Sequence, residues 1–206
     1  MPGGTLFTRL NSDAAHPKFI SLAYSHHSNG QEGPTLNADG SFNTDGKFTT
    51  NFYRLDYYFG KSYKNAISAS SQFASIGIEL HAGLFKTGYS KELTDKYGFI
   101  RTNGSWMYDI LKDKTGKADR YANRQRIRFD FTYILDKVDG EQFTDVSKRL
   151  NASLKYYYQP GFMENTALTA TVGYRGQDPY NIYFQNNYAY FAVGVAAGLS
   201  FNKGKL

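Results

Sequence analysis

Along residues 71–85 apolar and polar positions alternate, with Ala74, Ile76, Ile78, Leu80, Ala82 and Leu84 on one side and Ser75, Gly77, Glu79, His81 and Gly83 on the other. A period of two marks a strand whose two faces meet different surroundings. The pattern returns at 126–135, where Ile127, Phe129, Phe131, Tyr133 and Leu135 oppose Arg126, Arg128, Asp130 and Thr132, and more weakly at 147–159, 165–175 and 187–201. Residues 97–111 carry its faintest version. Together these runs predict eight strands, beginning near residues 17, 48, 71, 97, 121, 147, 165 and 187.

Length separates the two kinds of all-β protein that alternate in this way. Several runs reach ten residues or more, close to the roughly 9 to 11 that cross a bilayer at a tilt, whereas sandwich strands are nearer five or six. Arg54, Asp56, Glu79, Arg126, Arg128 and Asp130 place charge in mid-strand opposite an apolar face. Connections differ too: PGFMEN, residues 160–165, is tight, while 30–47 and 86–96 are long and polar. The pattern therefore predicts a single domain over residues 1–206, an antiparallel transmembrane β-barrel of the bacterial outer membrane.

Composition sharpens this picture at three points. Tyr and Phe number 18 and 16 against one Trp, a surplus that suits the aromatic girdles of such a barrel. No run approaches the 18 or so apolar residues of a spanning helix, which excludes that mode of insertion and leaves a barrel open. Cysteine is absent, so disulfide, thiolate-zinc and cysteine-nucleophile chemistry are excluded. The net charge of +6 is spread along the chain, and nucleic acid is not an expected partner. Met1–Gly4 shows neither a charged start nor an apolar stretch; the expectation is that a leader has been removed or that the sequence begins inside a longer one.

The candidate chemistry lies in YSHHSNGQ, residues 24–31. On a strand over 19–28, Ile20, Leu22, Tyr24, His26 and Ser28 share the apolar face, and His27 points the other way. His26 and Ser28 are then about 7 Å apart along the strand, a gap an imidazole and a hydroxyl largely close, as a general base and nucleophile require. A third group must hold the imidazole in its tautomer. Asn51 opens the next strand on the same face, and the register that sets it beside His26 also sets Leu22 against Leu55 and Ile20 against Tyr57. The other histidines read as ordinary polar residues: His16 in a loop, His27 and His81 facing the lumen. Arg126, Arg128 and Asp130 read as a solvated lumenal ladder.

HHSNG followed by NFYRLDYY resembles outer-membrane phospholipase A, of the phospholipase A1 family, whose motif is His, any residue, Ser-Asn-Gly, with an Asn opening the next strand. The resemblance implies Ser28 as nucleophile, His26 as base, Asn51 as the residue orienting it and the Gly30 amide as an oxyanion donor. It implies membrane phospholipid as substrate, a homodimer, and a catalytic Ca²⁺ with Gln31 at the position of a main-chain ligand. Leu36 stands where that family has a hydroxyl ligand; Glu32, Asn37, Asp39 and Asp45 offer other oxygens. Family barrels have twelve strands, so the resemblance also implies that this chain is the C-terminal part of one. Two other readings remain: a lipid A deacylase-type esterase, which uses a carboxylate as third member, and a non-enzymatic porin-like barrel.

Overall fold

Each alternating run pairs with the next along the chain, and the result is one antiparallel sheet in sequence order. The computed structural model describes residues 3–43, 45–65, 68–81, 91–112, 123–138, 140–163, 166–176 and 187–197. Its strands are β1 (Gly3–Arg9), β2 (Lys18–Ser28), β3 (Thr49–Lys64), β4 (Ser68–His81), β5 (Ile100–Lys112), β6 (Asn123–Ile134), β7 (Leu150–Gln159), β8 (Thr166–Arg175) and β9 (Tyr188–Ala197). Besides a 3-10 turn at Lys91–Leu93 and one helical turn, α1 (Val146–Arg149), the described residues hold no helix. Neither is long and apolar enough to cross a membrane.

The sheet has nine strands where the alternation predicts eight. The addition is β1, whose sequence GGTLFTR sets Leu6 and Phe7 side by side after two glycines, so no period of two announces it. Pairing with β2, from Gly3 against Ser25 to Arg9 against Phe19, is what makes it a strand. The other eight begin within three residues of the expected positions. Residues 147–149 prove helical because the Asp145 carboxylate accepts from the Ser147 amide at 3.0 Å and caps a turn. The strand ends expected at Ala82–Leu84 and toward Phe201, the loop residues 86–90, and Glu164 and Asn165 of PGFMEN lie outside the described residues.

The two faces of the sheet are inverted relative to a water-soluble sandwich. One row runs Phe59, Ala74, Trp106, Phe129, Leu154, Val172, Phe191 across seven strands, and its large members are exposed. Leu22, Leu55, Ile76, Ile78 and Leu80 on the same face are exposed by 40 to 52%. On the opposite face Ser21, Asp56, Ser75, Glu79, His81, Arg101, Asn103, Asp109, Asn151 and Thr171 are at most 8% exposed. A flat sheet would expose both faces alike, so the sheet curls with its polar side inward, as a barrel-like fold does. Gly77 shows how tightly the concave side is filled: the Asp56 carboxylate occupies the space where a β-carbon would stand.

Most apolar burial occurs at one end. Phe48, Leu93 and Tyr97 pack together with Phe42 and Phe99, where segments 29–48 and 82–99 join their strands. The connections at that end, 29–48, 82–99, 135–149 and 176–187, are longer than those at the other, 10–17, 65–67, 113–122 and 160–165. Arg149 fastens one of the long ones by donating to the carbonyls of Ile134, Asp136, Glu141 and Gln142.

Beneath this cap His81 joins two strands. Its Nε2 lies 2.7 Å from Glu79 Oε1 and its Nδ1 2.9 Å from the Thr50 hydroxyl, while Arg101 Nη1 stands 3.9 Å from the same Glu79 oxygen. Removing one member leaves buried polar groups without partners. His81→Ala is expected to lower stability by about 3 kcal/mol, read as a shift in the midpoint of equilibrium denaturant unfolding; an unchanged midpoint would show the network to be idle.

Candidate functional site

Antiparallel pairing of β2 with β3 sets His26 against Asn51, Leu22 against Leu55 and Ile20 against Tyr57, the register expected from the apolar pattern. His26 and Asn51 are thereby brought into contact, with His26 Nδ1 2.7 Å from Asn51 Oδ1. A carbonyl oxygen only accepts, so Nδ1 carries the hydrogen, and in the neutral ring the lone pair is then on Nε2. Asn51 is 3% exposed although it stands on the outer face, and His26 is half-buried.

Ser28 is the last residue of β2, opposite Thr49 and exposed, on the same face as His26. Ser25 belongs to the concave face with Ser21 and Ala23, lining a cavity of about 580 Å³ beside Arg54 and Asp56. The structure therefore separates the two serines by side of the sheet.

Immediately after Ser28 the chain turns. Asn29 organises the turn: its Oδ1 accepts from the Phe48 amide at 2.9 Å and the Gln31 amide at 3.3 Å, and its Nδ2 donates to the Gly46 carbonyl at 2.7 Å. Gly30 takes φ +70°, the left-handed region open to glycine, with open space around it. The loop returns through Thr35, buried and donating to the Lys47 carbonyl at 2.9 Å, to Phe48, whose ring meets Tyr97 at 5.4 Å and His27 at 5.2 Å. His27 therefore packs under the cap, against an aromatic ring.

Several side-chain groups of this loop are engaged within it. The Gln31 side chain accepts from Asn29 Nδ2 at 2.6 Å. Asp39 turns to Ser41, whose hydroxyl and amide hold its carboxyl below the usual carboxylate range. Asn37 donates to Ser41 and to the Phe42 carbonyl. Among the described residues no three His, Asp or Glu side chains stand close enough together to hold a metal ion.

Two features were not legible as part of the site. One is Tyr24, whose hydroxyl donates to the same Asn51 Oδ1 at 3.1 Å; its position two residues before His26 on one face was the available signal. The other is Thr50, which anchors to His81 on the concave side while its neighbour Asn51 faces outward. His81 is thus a cross-strand tie, not a lumenal filler. Of the expected arginine ladder, Arg128 is bound to Asp130 at 2.8 Å, whereas Arg126 leaves Asp130 and shares Asp109 of β5 with Arg124.

Compared with family models, with curated proteins and with solved structures, the chain matches none. The geometry itself makes one local prediction. Asn29→Ala removes the acceptor of the Phe48 amide, and hydrogen exchange there should quicken about tenfold while the body of the sheet keeps its protection; equal protection in both proteins would mean that Asn29 does not hold the turn.

Proposed function

We propose that this chain is an outer-membrane phospholipase, a serine esterase that hydrolyses acyl ester bonds of phospholipids on the outer wall of a barrel. The observation that carries the reading is the 2.7 Å bond from His26 Nδ1 to Asn51 Oδ1 on the face that also bears Ser28 and the exposed apolar residues. A site on an apolar outer surface meets substrates dissolved in hydrocarbon. Exposed apolar rows, a buried polar concave face and long connections at the Ser28 end support a membrane barrel. An amide as third member favours this reading over an esterase built on a carboxylate. It also suits the place, since an amide accepts the imidazole hydrogen without putting a fixed negative charge on a hydrocarbon-facing wall.

The chemistry follows from those groups. As Ser28 Oγ attacks the ester carbonyl, His26 Nε2 takes its proton, and Asn51 keeps the Nδ1 hydrogen in place. The negative charge forming on the carbonyl oxygen is met by the Gly30 main-chain amide, which the turn leaves accessible. Collapse of the tetrahedral species breaks the ester bond; His26 returns the proton to the leaving alkoxide and a lysophospholipid departs. Water, deprotonated by the same base, then hydrolyses the acyl-serine to release a fatty acid.

A calcium ion and a second copy belong to the same proposal. Leu36 lacks a hydroxyl, and among the described residues no three His, Asp or Glu side chains converge on one point. The Gln31 main-chain carbonyl would supply one ligand and a partner protomer others.

Detergent-folded protein is expected to release fluorescent fatty acid from a labelled phospholipid, at a rate that falls when calcium is chelated and rises more than in proportion to protein-to-detergent ratio. Ser28→Ala, His26→Ala and the double variant should each lose on the order of 10³-fold in kcat, because the two groups act as one unit, and a sulfonyl fluoride should label Ser28 but not Ser25. Additive losses, or labelling that persists in Ser28→Ala, would overturn the assignment.

The membrane part has its own test. Ile78→Arg places a charge on the outward row and is expected to cost roughly 2 to 4 kcal/mol of folding free energy in lipid vesicles. A cost near zero there would mean that this face meets water.

A further inference from the structure

We infer that the concave face of β6 and β7 holds a site for a small phosphate-bearing anion, built from Arg124, Arg126, Arg128 and Lys155 at the end of the sheet away from the cap. The three arginines stand at alternate positions of β6 and so project to one side of it. Across the ladder Tyr157 of β7 faces Arg126, and Lys155 faces Arg128. Two cations are thus direct cross-strand neighbours, an arrangement that costs folding free energy unless an anion lies between them. The described residues do not supply that anion. Asp109 is bound to Arg124 and Arg126, and Asp130 to Arg128, whereas β7 and β8 contain no acidic residue. Among the described residues Lys155 meets no carboxylate; its Nζ lies 5.7 Å from the centre of the Tyr157 ring, and Arg126 stands 5.9 Å from the same ring. Four cations therefore share the two carboxylates of Asp109 and Asp130, which leaves two positive charges in excess.

The hydrogen bonds leave room for a further oxyanion. Each arginine meets its carboxylate side-on, through Nε and Nη2. The Nη1 groups donate to none of the described residues, so the other edge of each guanidinium, Nη1 with Nη2, is open to a second oxyanion. These side chains are 42, 30 and 49% exposed, and an ion dissolved in water can reach them. Phosphate suits the arrangement on two counts. As a dianion it matches the excess of two charges, and its several oxygens can bridge Lys155 and more than one guanidinium, which a chloride ion does not do. The site lies on the other side of the sheet from Ser28 and the exposed apolar rows. The anion it fits is therefore a water-soluble one, and its binding does not depend on the chemistry proposed for Ser28.

Inorganic phosphate is the probe, at a mildly alkaline pH where it is a dianion. In detergent-folded protein it is expected to bind saturably in titration calorimetry and to raise the midpoint of denaturant unfolding, since a ligand of the folded state stabilises that state. Lys155→Gln should weaken binding about tenfold. In phosphate-free buffer the same variant should unfold at a midpoint no lower than that of the unsubstituted protein, because it removes the opposition to Arg128. Lys155→Arg, which keeps the charge, should retain binding, and Lys91→Gln, exposed at the cap end, should change neither quantity. Absence of phosphate binding, or binding that Lys155→Gln leaves unchanged, would overturn the inference. So would an equal rise in midpoint with sodium chloride at the same ionic strength, which would show general screening of the cations. A lower midpoint for Lys155→Gln in phosphate-free buffer would overturn it as well, by showing Lys155 to be a stabilising charge of the sheet itself.

Discussion

The register between β2 and β3 is the constraint on which the candidate site depends. In an antiparallel pair a slip of one residue sends every side chain of a strand to the other face. Such a slip would turn Asn51 into the concave side and bring Thr50 outward, separating His26 from its acceptor. Both faces oppose it. On the outer face Leu22 meets Leu55 and Ile20 meets Tyr57, while inside Ser21 meets Asp56 and Ala23 meets Arg54. Arg54 and Asp56 are bonded to each other at 2.8 Å, and moving them outward would strand that pair on an apolar surface.

Strand alternation also explains how a site on the outside is supported from within. Thr50 and Asn51 are adjacent in the chain, so one must point inward and the other outward. Thr50 is tied through His81 and Glu79 to the network around Arg101, and Arg101 donates in turn to the carbonyls of Tyr97 and Gly98. The cap formed by Phe48, Leu93 and Tyr97 closes over these residues. The start of β3 is thereby held by the concave side, and the outward face of the same strand presents Asn51 at a fixed height beside His26.

Three polar side chains of the outer wall are bonded to one another, which lowers the cost of placing them on an apolar surface. Tyr24, His26 and Asn51 form one connected set of donors and acceptors, with no fixed charge among them when the imidazole is neutral. A carboxylate at position 51 would bind the imidazole hydrogen more strongly, at the cost of an ion on an apolar wall. Asn makes the weaker acceptor, and the neighbouring Tyr24 hydroxyl bonds to the same Oδ1.

By itself the sequence determined the strands, their faces and the pairing of His26 with Asn51, because a period of two needs no knowledge of distant partners and a register follows once two apolar faces must coincide. It was silent on β1, where Leu6 beside Phe7 breaks the alternation and only pairing with β2 makes the strand. It was silent too on what His81 and Tyr24 do. Each reads as an unremarkable member of its face, and its role comes from an atom contributed by another strand: the Thr50 hydroxyl in one case, the Asn51 carbonyl in the other. Periodicity reports which way a side chain points. Which partner it meets there is decided only when the sheet curls and the loops close over its end, since hydrogen bonds depend on distances of a few tenths of an ångström that no spacing along the chain encodes.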